Sequence, residues 1–165
     1  MPVQLNHTIV AAHDAEVSSR WFAEMFGLDQ PEQLGHFWQV TTANGVGLDF
    51  ASVGDRDVPV QHYAFLVTEP EFDEIYGRVV ERGLQHWADP QAKHPGQINH
   101  HDGGRGVYFQ NEDGHFLEII TRPGHINHHD GGRGVYFPDP DGHLLELITR
   151  PYGGVDPRRA RSSSP

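Results

Sequence analysis

The chain has no cysteine among its 165 residues, which removes disulfides, zinc–thiolate centres and thiol nucleophiles together. Basic charge is also scarce. Twelve Lys and Arg stand against 23 Asp and Glu, for a formal net charge of −11. A nucleic-acid partner needs clustered cations to meet phosphate and is therefore not expected. Only Arg158, Arg159 and Arg161, followed by Ser-Ser-Ser-Pro, are locally basic, and residues 152–165 read as a disordered tail. No stretch approaches the roughly 20 apolar residues of a membrane span, and no N-terminal apolar run resembles a signal peptide. The expectation is a cytoplasmic protein with no membrane partner. The length suits one compact domain, 1–151, ahead of the tail. Histidine, by contrast, is abundant: 13 residues direct attention to metal chemistry.

The hydrophobic pattern runs through one cycle twice. Residues 4–11 alternate as a strand, with Leu5, His7 and Ile9 on one face. Asp14 is a good N-cap for the next segment, whose stripe of Val17, Trp21, Phe22, Met25 and Phe26 reads as core before Gly27 stops the helix. Strands are predicted over 36–42 and 46–51 around Asn44-Gly45, a dipeptide that tolerates positive φ. Asp49, between Leu48 and Phe50, needs solvent or a partner there. The pattern restarts with a strand over 61–67 containing His62. Glu69-Pro70 then opens a helix with Phe72, Ile75, Tyr76 and Val79 at i, i+3, i+4 and i+7. A short strand near 84–88, a loop rich in Pro, Gly and His, and a hairpin of 106–110 with 115–121 complete the cycle. The fold class expected is α+β, built from paired βαβββ modules over 3–54 and 60–123.

A second repeat is plainer. Residues 96–123 return at 124–151 with 22 of 28 positions identical. The differences are Gln97/His125, Gln110/Pro138, Asn111/Asp139, Glu112/Pro140, Phe116/Leu144 and Ile119/Leu147. Each keeps a turn a turn and an apolar position apolar. Two copies are too few for a solenoid, so the unit reads as a tandem-duplicated C-terminal hairpin. Glu118, between Leu117 and Ile119, is a carboxylate in an apolar strand that calls for a cation or a strong donor, and Glu146 repeats it.

The ordered set Leu5-Asn6-His7-Thr8-Ile9, Trp21-Phe22-Ala23-Glu24-Met25-Phe26-Gly27-Leu28, Gln61-His62-Tyr63-Ala64-Phe65, Gly106-Val107-Tyr108-Phe109 and Asp113-Gly114-His115-Phe116-Leu117-Glu118 resembles the vicinal oxygen chelate superfamily. That superfamily includes glyoxalase I, bleomycin-resistance proteins, extradiol dioxygenases and fosfomycin-resistance thiol transferases. The resemblance covers residues 3 to about 123 in order. It implies a cup-shaped mixed sheet holding a divalent metal ion on His7, His62 and a glutamate, Glu118 or its copy Glu146. Asp49 lies where some members place a fourth ligand. Two imidazoles and a carboxylate leave open coordination positions, which favours Fe2+ and admits Mn2+, Ni2+ or Zn2+. The resemblance also implies that Tyr108, or its copy Tyr136, faces the substrate as a donor or acid/base group.

Only one glutamate can fill one ligand position. The uninterrupted connection from the preceding helix favours Glu118, whereas 139–142, Asp-Pro-Asp-Gly, is the more typical turn. The displaced hairpin would leave apolar edges open, so it is expected to add to a sheet edge of its own chain or of a symmetry mate, supporting a homodimer. His100, His101 and Asp102 beside Gly103-Gly104 form a loop near the cup. The reading implied is a metal-dependent enzyme of the glyoxalase or dioxygenase type, acting on a small oxygenated metabolite through bidentate chelation. The other class is a non-enzymatic cup that sequesters a drug or natural product. Fosfomycin-type substrates need cationic surroundings, and here only Arg105 is close by.

Overall fold

The structure is a computed structural model that describes residues 4–122 and the strands within 134–138 and 144–148. The chain divides into two compact units, 1–122 and 123–165. In the first, module one comprises β1 (His7–Ala12), α1 (Ala15–Phe26), β2 (Glu32–Leu34), β3 (Phe37–Thr41) and β4 (Gly47–Ser52). Its sheet has the order β1-β4-β3-β2, with β1 and β4 parallel and the remaining pairs antiparallel. Asp14 caps α1 by accepting the amides of Glu16 and Val17, and Gly27 closes it with φ of 67° in the left-handed region, where an L side chain is strained.

Module two repeats the plan with β5 (His62–Leu66), α2 (Glu69–Glu81), β6 (His86–Trp87), β7 (Gly106–Gln110) and β8 (Phe116–Ile120). Its order is β5-β8-β7-β6, again with the first pair parallel. The expected α+β fold of paired βαβββ modules is therefore present. Helix α2 starts at Glu69, where Glu69-Pro70 places it. Thr68 is the N-cap and exchanges hydrogen bonds with Glu71 in a capping box, which satisfies two otherwise unpaired amide groups.

The helices and one face of each sheet share a single core. Phe22, Met25, Phe50, Phe72, Phe109 and Ile119 are buried in it, and Phe22 and Phe26 of α1 pack on Phe65 of β5. Burying such rings is the main stabilising term. Val17 departs from the expected stripe: it is exposed, lying outside the arc that the sheet covers. Polar contacts join the modules at one end. Asp113, in the β7–β8 turn, accepts the amide of His13 at 2.9 Å and the hydroxyl of Ser18 at 2.6 Å. His115, fully buried, meets the carbonyl of Ala11 through Nε2 at 2.8 Å and accepts the amide of Gln61 at Nδ1, 3.1 Å away. The donor to Ala11 is therefore Nε2–H, which fixes the tautomer.

In the second unit, β9 (Gly134–Pro138) and β10 (Leu144–Ile148) form an antiparallel two-stranded sheet. The side chains of Tyr136 and Glu146, both named as site candidates, lie outside the described residues, as does the tail 152–165. Among the described residues no helix is long and apolar enough to cross a membrane.

Candidate metal centre

Strand alternation sets the site. Each sheet turns one face to the helices, and the other carries the polar candidates. In module two, His62, Ala64 and Leu66 of β5 stand on this second face, in register with Phe116, Glu118 and Ile120 of the parallel strand β8. Tyr108 of β7 pairs with Glu118 from the other side. His62 and Glu118 lie two residues apart along the ladder and on the same face, which brings Nε2 of the imidazole within 3.1 Å of the carboxylate Oε2. The carboxylate is largely shielded while the ring stays half exposed.

Tyr108 stands beside Glu118 across the β7–β8 ladder, and its phenol is pushed above the ordinary tyrosine range. Burial contributes most, followed by the bond to Glu118, its charge and that of Asp89. The hydroxyl thus remains a donor at physiological pH. The His62 and Tyr108 rings are 5.8 Å apart, and they share a hollow of about 200 Å³ with Val60, Gln61, Pro90 and Phe116. Trp87 packs on Phe116, ring centres 6.0 Å apart, behind that wall. A wider groove of about 460 Å³ runs past His62 between the open edges of β1 and β5, walled by Leu5, Thr8, Leu48, Ala64 and Leu66.

Module one places His7 and Asp49 in the equivalent positions. His7 stands opposite Gly47, and Ile9 and Gln39 both stand opposite Asp49. The outcome differs. Nearly buried Asp49 receives the Gln39 amide at 2.5 Å, and His7 contacts its neighbour Asn6 through Nδ1 at 2.8 Å. His7 is exposed on an edge strand together with Leu5 (67% exposed) and Ile9 (54%). Alternation correctly groups these three, but on the uncovered face.

The three first-choice ligands therefore do not converge within one chain. Among the described residues no three His, Cys, Asp or Glu side chains are close enough to hold one metal ion. The donor chemistry of His62 and Glu118 nevertheless fits a divalent cation: an imidazole nitrogen and a carboxylate oxygen already face each other, with Tyr108 paired beside the carboxylate. Other candidates separate from this pair. His100 and His101 are exposed in and beside a single 3-10 turn. Arg105 lies on the helix side, bound to Glu69 and to Asp73 at 2.6 Å and stacked over Phe72. Gln39 was not among the expected site residues, although it lies ten positions before Asp49, as Tyr108 lies ten before Glu118.

With this architecture of paired modules and a histidine–carboxylate pair on the open sheet face, the chain belongs to the vicinal oxygen chelate superfamily. It is 56% identical to the solved structure of oxidase ChaP-H1, covering 74% of this chain and 98% of that one with a TM-score of 0.72. Metallothiol transferase FosB of Shouchella clausii is 26% identical over 122 residues, 71% of this chain and 79% of FosB. Glutathione transferase FosA of Serratia marcescens is 26% identical over 120 residues, 70% of this chain and 78% of FosA. No family model matches the chain.

Proposed function

We propose that this protein is a metal-dependent oxidase acting on a small metabolite that presents two adjacent oxygens, with dioxygen as the electron acceptor. The observation that carries this reading is the His62–Glu118 pair, 3.1 Å apart on an open sheet face beside an aromatic-walled hollow. Relatives of more than half identity are named oxidases, whereas the transferases are at 26%. Arg105 is committed to α2 and is therefore not free to meet a phosphonate.

His62 and Glu118 would hold the ion, and His7 from a second copy of the chain would complete the set. Both β1 and β5 are edge strands, and the exposed Leu5, Ile9, Val60 and Leu66 beside them suit contact with another copy. Two imidazoles with one carboxylate favour Fe2+, with Mn2+, Ni2+ or Zn2+ also accommodated. A bound ion of this kind supplies Lewis-acid polarisation of the chelating oxygens and, if iron, an electron path to dioxygen. The chain's own residues do the rest. Tyr108 fixes the Glu118 carboxylate and keeps a proton at its hydroxyl for a substrate oxygen. Phe116, Pro90 and Val60 form an apolar wall that limits water around the reacting atoms.

The reading is tested on protein purified without chelator or histidine tag, by metal analysis and by oxygen uptake with catechol-type substrates. The expected result is close to one equivalent of metal per chain and substrate-dependent oxygen consumption. His7→Ala and His62→Ala should each lose the metal, while a refolded mixture of the two should regain about a quarter of it, because half the dimers then own one intact site. Less than about a tenth of an equivalent after reconstitution would mean a cup that binds without a metal.

A further inference from the structure

On the reading above that the open-face hollow receives the substrate, we propose that Asp89 is a positioning residue for it. Asp89 winds residues 89–94 into a fixed strap that holds Pro90 as a wall beside His62 and Tyr108, limiting the hollow to a single substrate ring. Among the described residues six line this hollow. Val60, Gln61, His62, Tyr108 and Phe116 stand on or directly before sheet strands, and Pro90 alone comes from a loop. A wall carried by a loop is only as definite as the contacts that fix the loop.

Asp89 supplies those contacts. Its largely shielded carboxylate accepts the backbone amides of Gln91 at 3.1 Å, Lys93 at 3.0 Å and His94 at 2.9 Å, and pairs with Nδ1 of the His94 ring at 2.8 Å. Three amides of one short loop converge on one side chain, and bonds to a charged acceptor are stronger than neutral ones. Between them lies Ala92, whose φ of 55° makes it the only non-glycine residue in the left-handed region among the described residues. An alanine is disfavoured there. The loop keeps this shape because the carboxylate gathers the amides on either side of Ala92, and such held strain is characteristic of functional segments.

The strap is also tied to the sheet. The Ala88 amide donates to the His94 carbonyl at 3.1 Å and the Gly96 amide to the His86 carbonyl at 2.8 Å, closing its base on β6. Asn99 donates from Nδ2 to the Ala88 carbonyl at 2.9 Å, and its backbone exchanges both hydrogen bonds with Gly106 at the start of β7. Gly106 makes room for that side chain, since a Cβ there would meet the Asn99 amide at 2.8 Å. The wall is therefore fixed relative to Tyr108, two residues further along β7. Asp89 also acts on that residue through its charge, behind burial and Glu118 among the causes that raise the Tyr108 phenol. At about 200 Å³ the hollow is smaller than the roughly 300–1,000 Å³ of pockets for drug-sized ligands, which suits one ring carrying two adjacent oxygens.

The test uses the full-length protein with its metal. Lys93 is the only lysine of the chain, so a lysine-specific protease reports on the strap at a single bond, whether or not the protein turns over. Asp89→Ala should be cut at least about tenfold faster than the parent, with Asp89→Asn, which keeps one acceptor oxygen, in between. The wall is read from the preference for catechol over 4-tert-butylcatechol. That preference, as a ratio of kcat/KM values, should fall by about tenfold in Asp89→Ala and in Pro90→Ala, which removes the ring but leaves the Asp89 contacts. The change should lie in KM, with kcat and metal content within about twofold of the parent; lost stability alone would not alter a ratio between two substrates. Unchanged resistance at Lys93 in Asp89→Ala, a parent without the preference, or a strap that opens with the preference unaltered overturns the proposal. If Asp89→Ala does not fold, Asp89→Asn and Pro90→Ala are judged by the same criteria. If calorimetry shows that the parent binds both catechols but it oxidises neither, the oxidase reading fails alone and the preference is taken from dissociation constants. If it binds neither, both fall.

Discussion

Modules one and two present the same three positions with different chemistry. A histidine opens the first strand of each, a carboxylate sits in the last strand two residues further along the ladder, and a polar side chain faces that carboxylate from the antiparallel neighbour. In module two the trio is His62, Glu118 and Tyr108, and histidine and carboxylate touch. In module one it is His7, Asp49 and Gln39, and they do not. Two features account for the difference. Aspartate is one methylene shorter than glutamate, so it reaches less far along the ladder. The space beside Gly47 is also taken by the Gln39 amide: a Cβ placed there would meet Nε2 at 2.7 Å. Gln39 thus satisfies Asp49 and turns it away from His7. Topology supplies equivalent positions, and one side chain decides whether they become a binding pair.

The most forceful way to break this contrast is to remove one member of each pair. His62→Ala should abolish stoichiometric metal binding, whereas Asp49→Ala should leave most of it, since Asp49 is already satisfied inside its own module. Metal content after dialysis against a weak chelator measures both. Equal losses would mean that module one contributes its carboxylate directly, and the asymmetry drawn from Gln39 would be wrong.

A smaller effect is expected where the modules meet. Ser18 of α1 donates to Asp113 of the β7–β8 turn at 2.6 Å, leaving the His13 amide as the other donor to that carboxylate. Hydrogen bonds to charged groups contribute about 1.5–3 kcal/mol when partly shielded. Ser18→Ala should lower unfolding stability by about that amount in urea with an unchanged m-value. A changed m-value would indicate that the modules no longer unfold as one unit.

How much of this was legible in the chain follows from what each signal measures. Alternation put Leu5, His7 and Ile9 on one face, but a period of two does not say which face is covered. Here the marked face is the open one. The βαβββ order was readable from caps and turn residues, yet β2 was not, because Glu32, Gln33 and Leu34 are all exposed and show no apolar alternation. The His62–Glu118 pairing depends on a parallel register between strands 50 residues apart, which no local pattern reports. Asp113 looked like an ordinary turn residue and His115 like an ordinary strand residue. Their role as a latch depends on Ala11, His13 and Ser18, roughly a hundred positions earlier. The hairpin spacing did hold a usable signal: ten residues separate Gln39 from Asp49, as they separate Tyr108 from Glu118, and that parity pointed to the partner Asp49 required.

The helix starts sharpen the comparison with the smallest effect. Module one anchors α1 through Asp14 and through Ser52, whose hydroxyl accepts the Ala15 amide. Module two adds to its capping box a clamp from the sheet, Arg105 reaching Asp73 and Glu69 in the first turns of α2. Acidic groups at a helix start are favourable in themselves, and the carboxyl of Glu69 is held below its usual range by a bond from Thr121, with a further contribution from Arg105. Both carboxylates are nevertheless exposed, so water and salt screen much of the attraction. Asp73→Asn should therefore lower Tm by no more than about 4 °C at low ionic strength. The gap from the parent protein should close in molar salt. A larger loss that persists in salt would mean that the clamp acts through packing, with Arg105 positioned by Asp73 over the Phe72 ring, where its guanidinium carbon lies 4.3 Å from the ring centre.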